Sequence, residues 1–224
     1  MTLQRISGVA ALAAAATYVY GFWIYFTLLG PAEYGRVDTP ASRHVQLLIE
    51  HEALMIQWNL VIYVLNAVLM VILVAGLHQR MAAAAPVLAR LAGAFGLVWA
   101  GLILAAGMVF NVGMTRIVAL AEHDAAAAEA LWHAVVVVGS GLGGGNEITG
   151  GLWVLLLSFA AWRTSVIPRL VGLLGSVVGA AGVVSTVPAF AAATTVFGLG
   201  FILWFVAIGF VLMAAEPKDA TPDR

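Results

Sequence analysis

The chain contains no cysteine. Disulfides, thiolate metal sites and cysteine nucleophiles are therefore excluded. Charge is scarce: 9% of the 224 residues are charged, against 63% hydrophobic, whereas soluble domains carry about 25% charged residues. A water-soluble fold of this length has no way to hide so much apolar surface, so lipid is the solvent expected for most of it. The net charge of −1 comes without any Lys/Arg cluster, which argues against nucleic acid as a partner. The only lysine, Lys218, lies in the tail, so a retinal Schiff base within a bundle is excluded. A P-loop is missing, which removes a self-contained ATP-driven pump. Val138-Gly139-Ser140-Gly141 falls short of a Gly-x-Ser-x-Gly turn, and no histidine follows it to serve as base.

What is present is a series of long apolar runs. A spanning helix needs about 20 predominantly apolar residues, and six stretches meet that: Ile6–Leu29, Glu52–Leu77, Leu88–Phe110, Asn146–Trp162, Leu170–Phe190 and Thr194–Ala215. The first is too long for the apolar core of a cleaved signal peptide, about 7–15 residues. Ala125–Val138 is shorter, carries Glu129 and His133, and leads into the glycine-rich stretch 139–145. It reads as an interfacial or re-entrant helix, with a seventh span as the alternative. The expectation is an all-α, polytopic transmembrane bundle of six spans plus this short helix on the outer side.

Arginine placement tests the count. With the N-terminus inside, the inner segments hold Arg5, Arg80, Arg90, Arg163, Arg169, Lys218 and Arg224, and the outer ones only Arg36, Arg43 and Arg116. Seven spans would put Arg163 and Arg169 on the wrong side. Both termini are thus expected in the cytoplasm, with residues 1–215 as one transmembrane domain and 216–224 as a disordered cytoplasmic tail. The arginine-, alanine- and glycine-rich composition points to a bacterial inner membrane. The outer segments Pro31–His51 and Asn111–Gly145 read as long loops, and the seven tryptophans mostly as interface markers. Gly172, Gly175, Gly179 and Gly182 mark a small-residue face for close helix packing, either inside the bundle or as a homodimer seam.

Glu147 is the most informative residue. It lies sixteen positions before Arg163, roughly 24 Å above the inner surface at helical rise, and hence within a hydrocarbon core about 30 Å thick. A charge at mid-membrane costs roughly 2.5–3.5 kcal/mol on insertion scales, so Glu147 should face the bundle and find polar company. The same count on other spans collects Tyr18, Tyr63, Asn66, Asn111, Asn146, Ser185 and Thr186 into one layer. Glu52, Asn59, Tyr63 and Asn66 form a polar stripe on an otherwise apolar second span. Two accounts fit: a buried hydrogen-bond network that sets helix register, or an outward pocket for a small molecule or ion, with Glu147 as ionisable handle and Asn146, Asn111, Asn59, Asn66 and Tyr63 around it. Nothing in the sequence requires a cofactor. Above this layer, His51, Glu52, Glu129 and His133 are the residue types that bind zinc or non-haem iron, which makes a metal-dependent enzyme the alternative. No His-Glu-x-x-His motif supports it, and solvated loop residues explain the same pattern.

Asn146-Glu147, Gly151-Leu152-Trp153 and the turn from Trp162-Arg163-Thr164-Ser165 through Pro168-Arg169-Leu170-Val171-Gly172 resemble an uncharacterised bacterial multi-pass membrane protein family of the domain of unknown function 4386 type. Thr164 and Val171 depart from that family's turn. The resemblance implies a six-helix bundle and assigns no activity, so no catalytic residue follows from it.

Overall fold

The structure, a computed structural model, describes residues 2–144 and 147–214. Every regular element among them is helical. Helix α1 (Leu3–Ile24) starts at Thr2, whose hydroxyl accepts the Arg5 N–H, and continues as a π-helical stretch, Tyr25–Leu29. Helix α2 (Ala41–Asn59) follows Pro40, passes through a second π-helical stretch, Leu60–Leu65, and runs on as α3 (Asn66–Met81). Pro86 opens α4 (Pro86–Ala121), where a missing N–H costs nothing. Asp124 caps α5 (Ala125–Gly139) by accepting the Ala127 N–H. A third π-helical stretch, Ser140–Gly144, precedes α6 (Ile148–Arg163), which is followed by α7 (Arg169–Ser185) and α8 (Ala193–Met213).

Five helical stretches are long and apolar enough to cross a bilayer: Leu3–Leu29, Ala41–Met81, Pro86–Ala121, Ala125–Arg163 and Ala193–Met213. Helix α7 is equally apolar but has 17 residues, about 25 Å at helical rise. The helices close a circuit in the order α1, α3, α4, α6, α7, α8 and back to α1, each packed against its two neighbours. Its centre is aromatic. Phe201 lies 5.3 Å from Trp99, 4.6 Å from Phe197 and 4.7 Å from Phe205, and Trp153 meets Trp204 at 5.4 Å, centroid to centroid. A second apolar cluster sits at the opposite end from most arginines, where α2, α5 and the last turns of α4 pack Leu48, Met55, Ile117 and Trp132 together.

Three expectations are corrected. The outer segments are not long loops: α2 already begins at Ala41, α4 runs through Asn111 to Ala121, and α5 fills Ala125–Gly139. Polar side chains on one face lower the hydropathy of these stretches without lowering their helix propensity. The expected start of the second span at Glu52 coincides with a kink, not a helix end; His51 has φ −130° and ψ 26° inside α2. The tryptophans divide into two groups. Trp23 and Trp162 are 60% and 48% exposed, as interface anchors are, but Trp99, Trp153 and Trp204 are each 1% exposed and form the core.

The glycine face of α7 is occupied within the chain. A Cβ on Gly179 would lie 2.7 Å from the Gly151 carbonyl oxygen on α6, and one on Gly172 would lie 2.7 Å from the Ala161 Cβ. Gly175 faces Ser158 and Trp204, and Gly182 faces Phe197. The homodimer seam through Gly172–Gly182 is therefore withdrawn, because the surface it needs already holds α6 and α8 against α7. Arg5 and Arg90 lie near the starts of α1 and α4, Arg80 in the last turn of α3, and Arg163 and Arg169 at the two sides of the α6–α7 turn. Arg80 at the end of α3 donates to the Val166 carbonyl between α6 and α7 at 2.8 Å, which ties two turns of the arginine-rich end together.

Candidate functional site: a cavity around Glu147

A cavity of about 600 Å³ opens between α1, the Leu60–Leu65 stretch, α4, the start of α6 and α8. All three π-helical stretches reach it: Tyr25 and Phe26 from the first, Ile62 and Tyr63 from the second, Gly143 from the third. A π turn inserts a residue into the helical ladder, swings the following side chains round and widens the groove, and such turns gather at functional sites. Gly143, at φ 157°, lies 3.4 Å from Ile103 on α4 when given a Cβ. Ile103 is thirteen residues beyond Arg90, roughly 20 Å along the helix. Gly143 is thus level with the interior of α4; in a membrane protein, non-helical backbone at such a level is tolerated if it lines a cavity or is covered by protein.

Glu147 stands immediately before α6, at the position of an N-cap, yet its side chain caps nothing. Its backbone carbonyl accepts the Gly151 N–H at 2.8 Å while the side chain lines the cavity wall, partly exposed to it. The Trp99 indole N–H is the carboxylate's hydrogen-bonding neighbour, at a separation or angle looser than a well-formed hydrogen bond; by strict geometry this buried N–H has no partner. Tyr18 and Tyr63 lie within electrostatic reach of the same carboxylate. Among the described residues lining the cavity there is no Lys, Arg or His, and none forms an ion pair with Glu147. Trp58 closes one corner by donating to the Gly21 carbonyl at 3.3 Å. Gly107 leaves room on α4 for the Tyr63 ring, which packs on Phe110 at 5.5 Å.

The other residues of the polar layer scatter. Asn66 lines the cavity, and its amide donates to the Thr17 hydroxyl at 2.7 Å. Asn59 is buried above, donating to the Met55 carbonyl at 3.1 Å and to the Met114 sulfur at 3.3 Å. Asn111 lies on α4 in the outer half, beside Arg116 in a separate shallow recess, with its carbonyl oxygen buried and unpartnered. Ser185 and Thr186 donate back to their own helix, to the Gly182 and Val183 carbonyls. Asn146 and the 216–224 tail lie outside the described residues. Residue counting gives height along a helix axis and not the direction a side chain faces, so Tyr18, Tyr63, Asn66 and Glu147 share the cavity while Asn59, Asn111, Ser185 and Thr186 stand outside its lining. Among the described residues no three His, Asp or Glu side chains come together to hold a metal ion. His51 and Glu52 sit partly buried on α2, Glu129 partly buried and His133 exposed on α5; the structure does not gather them into a ligand set.

Counting missed the aromatic wall. Trp99 was grouped with the interface markers, although it stands nine residues inside Arg90, too deep for a headgroup anchor. Phe22, Phe26 and Phe197 carried no polar signal at all.

A closed circuit of apolar helices around an aromatic core, five stretches of the described residues being long and apolar enough to cross a bilayer, fits a multi-pass membrane protein. The chain belongs to the family described as Domain of unknown function (DUF4386), whose pattern matches residues 6–214. No curated protein and no solved structure matches the chain.

Proposed function

We propose that this protein binds a small molecule or ion in the cavity around Glu147, as a transporter, a sensor or an accessory subunit of a membrane complex does. One observation carries the reading: the Glu147 carboxylate, without a counter-charge among the described residues, lines a cavity instead of capping its helix, and the count from Arg163 assigns it to membrane depth. An ionisable residue inside a membrane is a functional candidate by default. Discontinuous membrane helices form substrate sites in many transporters, and the interruption between the end of α5 and the start of α6 supports the reading. Glu147 is the ionisable partner, and Tyr63 and Asn66 are its polar neighbours. Asn146 joins them on sequence grounds. Asn59 and Asn111 are assigned to the outer half of the bundle and not to the ligand.

In this reading α7 is the sixth span, because it stands between α6 and α8 in the circuit, and α5 is the short helix on the outer side. Residues 1–215 form one transmembrane domain in a bacterial inner membrane. The arginine-rich end, both termini and the 216–224 tail face the cytoplasm, and the cavity opens toward the outer side.

The test is Glu147→Gln in purified protein. The binding reading expects the pH dependence of tryptophan fluorescence, reported by Trp99 and Trp58 at the cavity, to be lost in the variant. A variant that only melts at a higher temperature, with that pH response unchanged, sinks the reading. The competing account, a buried network without a ligand, is favoured at Asn59 and Asn66, whose amides already donate inside the protein. It leaves the 600 Å³ cavity and the uncapped Glu147 unexplained.

A further inference from the structure

We propose that the ligand of the Glu147 cavity is an organic ammonium ion with an apolar body. The inference rests on the reading of this cavity as a binding site and assigns the chemical class that its walls select.

Charge removes the anions. The cavity offers one carboxylate, and its described lining holds no cationic side chain. An anion would meet repulsion from Glu147 in a low-dielectric setting where little screens it. Coordination removes the hard metal ions. Calcium takes about 6–8 oxygen ligands and magnesium a near-octahedral set, whereas the described residues provide no group of three His, Asp or Glu side chains, and Glu147 is the one carboxylate in the cavity lining. Hydroxyl-rich ligands such as sugars need many directed partners, but most of the lining is aromatic or aliphatic.

An organic ammonium uses what is there. Its positive charge pairs with the Glu147 carboxylate, and Tyr18, Tyr63 and Trp99, whose rings have the π systems that attract a cation, line the same cavity. Such contacts strengthen when desolvated, and aromatic cages are a recurrent way to hold alkylammonium groups. The apolar body has its own wall in Phe22, Phe26 and Phe197. The volume, about 600 Å³, falls in the range of small-molecule pockets, about 300–1,000 Å³. At the mouth, Tyr25 and Phe26 are 44% and 62% exposed, and Thr194 and Thr195 stand on the first turn of α8. A half-polar, half-aromatic rim of this kind suits a lipophilic cation arriving through the membrane interface.

The experiment compares three benzyl probes on the full chain in nonionic detergent: benzyltrimethylammonium, its neutral isostere neopentylbenzene, and the anion phenylmethanesulfonate. Tryptophan fluorescence and melting temperature are the readouts, with tetraalkylammonium ions from tetramethyl to tetrabutyl as a size series. The expected result is that the cation binds about tenfold tighter than the neutral isostere, and that Glu147→Gln brings the two to equal affinity. Equal affinities in the wild-type protein, or preference for the anion, overturn the ammonium assignment and leave the cavity as a binding site for another class. Silence from every probe, the size series included, overturns both. The wild-type comparison stands even if Glu147→Gln fails to fold.

Discussion

At the scale of single residues, buried polar atoms decide which side chains hold the bundle and which are free to act. The Asn66 amide is held by Thr17, and the Thr17 hydroxyl in turn donates to the Ala14 carbonyl at 2.8 Å. Thr17→Val keeps the shape and removes the acceptor, so a buried N–H loses its partner. The expected cost is about 1–2 kcal/mol, within the range measured for hydrogen bonds between membrane helices, read as a lower unfolding midpoint in detergent; Thr17→Ser should restore it. No loss in Thr17→Val would mean that the amide finds water in the cavity instead. Glu147 has no such internal anchor, which is why its replacement is expected to change binding more than stability. Its depth was legible from the distance to Arg163. Its indole neighbour was not, because a buried Trp99 and an interfacial tryptophan look alike in a sequence.

At the scale of helices, close approach is the governing quantity. Gly151 and Gly179 let the backbones of α6 and α7 touch; each would place a Cβ 2.7 Å from the other's carbonyl oxygen. Gly179→Ala forces the two helices apart, because a backbone atom is unable to swing aside as a side chain does. The expected destabilisation is about 1–3 kcal/mol. Gly101→Ala is the control: a Cβ there meets nothing within 4 Å, and its effect should stay within about 0.5 kcal/mol. Unfolding midpoints of the two variants check the pair, and equal shifts would remove the argument. The small-residue pattern on α7 was readable in sequence, but its partner was not, since glycine spacing is the same whether a helix packs on its own chain or on a second copy. The π-helical stretches were invisible for a similar reason. Leu60–Leu65 is an apolar run like any other, and only its packing against α1 and α4 selects the wider turn.

At the scale of the whole molecule, the arginine-rich end defines a direction. Ala83 and Ser165 are exposed in turns at that end, and Val37 is exposed at the other. The natural absence of cysteine makes single-cysteine labelling direct. Ala83→Cys and Ser165→Cys should react with a membrane-impermeant maleimide only from the cytoplasmic side, and Val37→Cys only from outside. Labelling of Ser165→Cys from outside would overturn the six-span proposal, because that turn follows α6.

Composition and charge placement alone pointed to a chain of membrane helices, showed which helix ends are basic, and singled out Glu147 by its distance from Arg163. Those properties follow from transfer free energies, which add along a chain whatever its fold. Tertiary structure alone decided which polar groups meet, that Asn59 and Asn66 are held internally while Glu147 is turned into an aromatic cavity, and that the α7 glycines face α6 and α8. Such contacts depend on the tilt, height and rotation of each helix about its axis, and lipid, equally apolar on every side, leaves all three to be settled by packing.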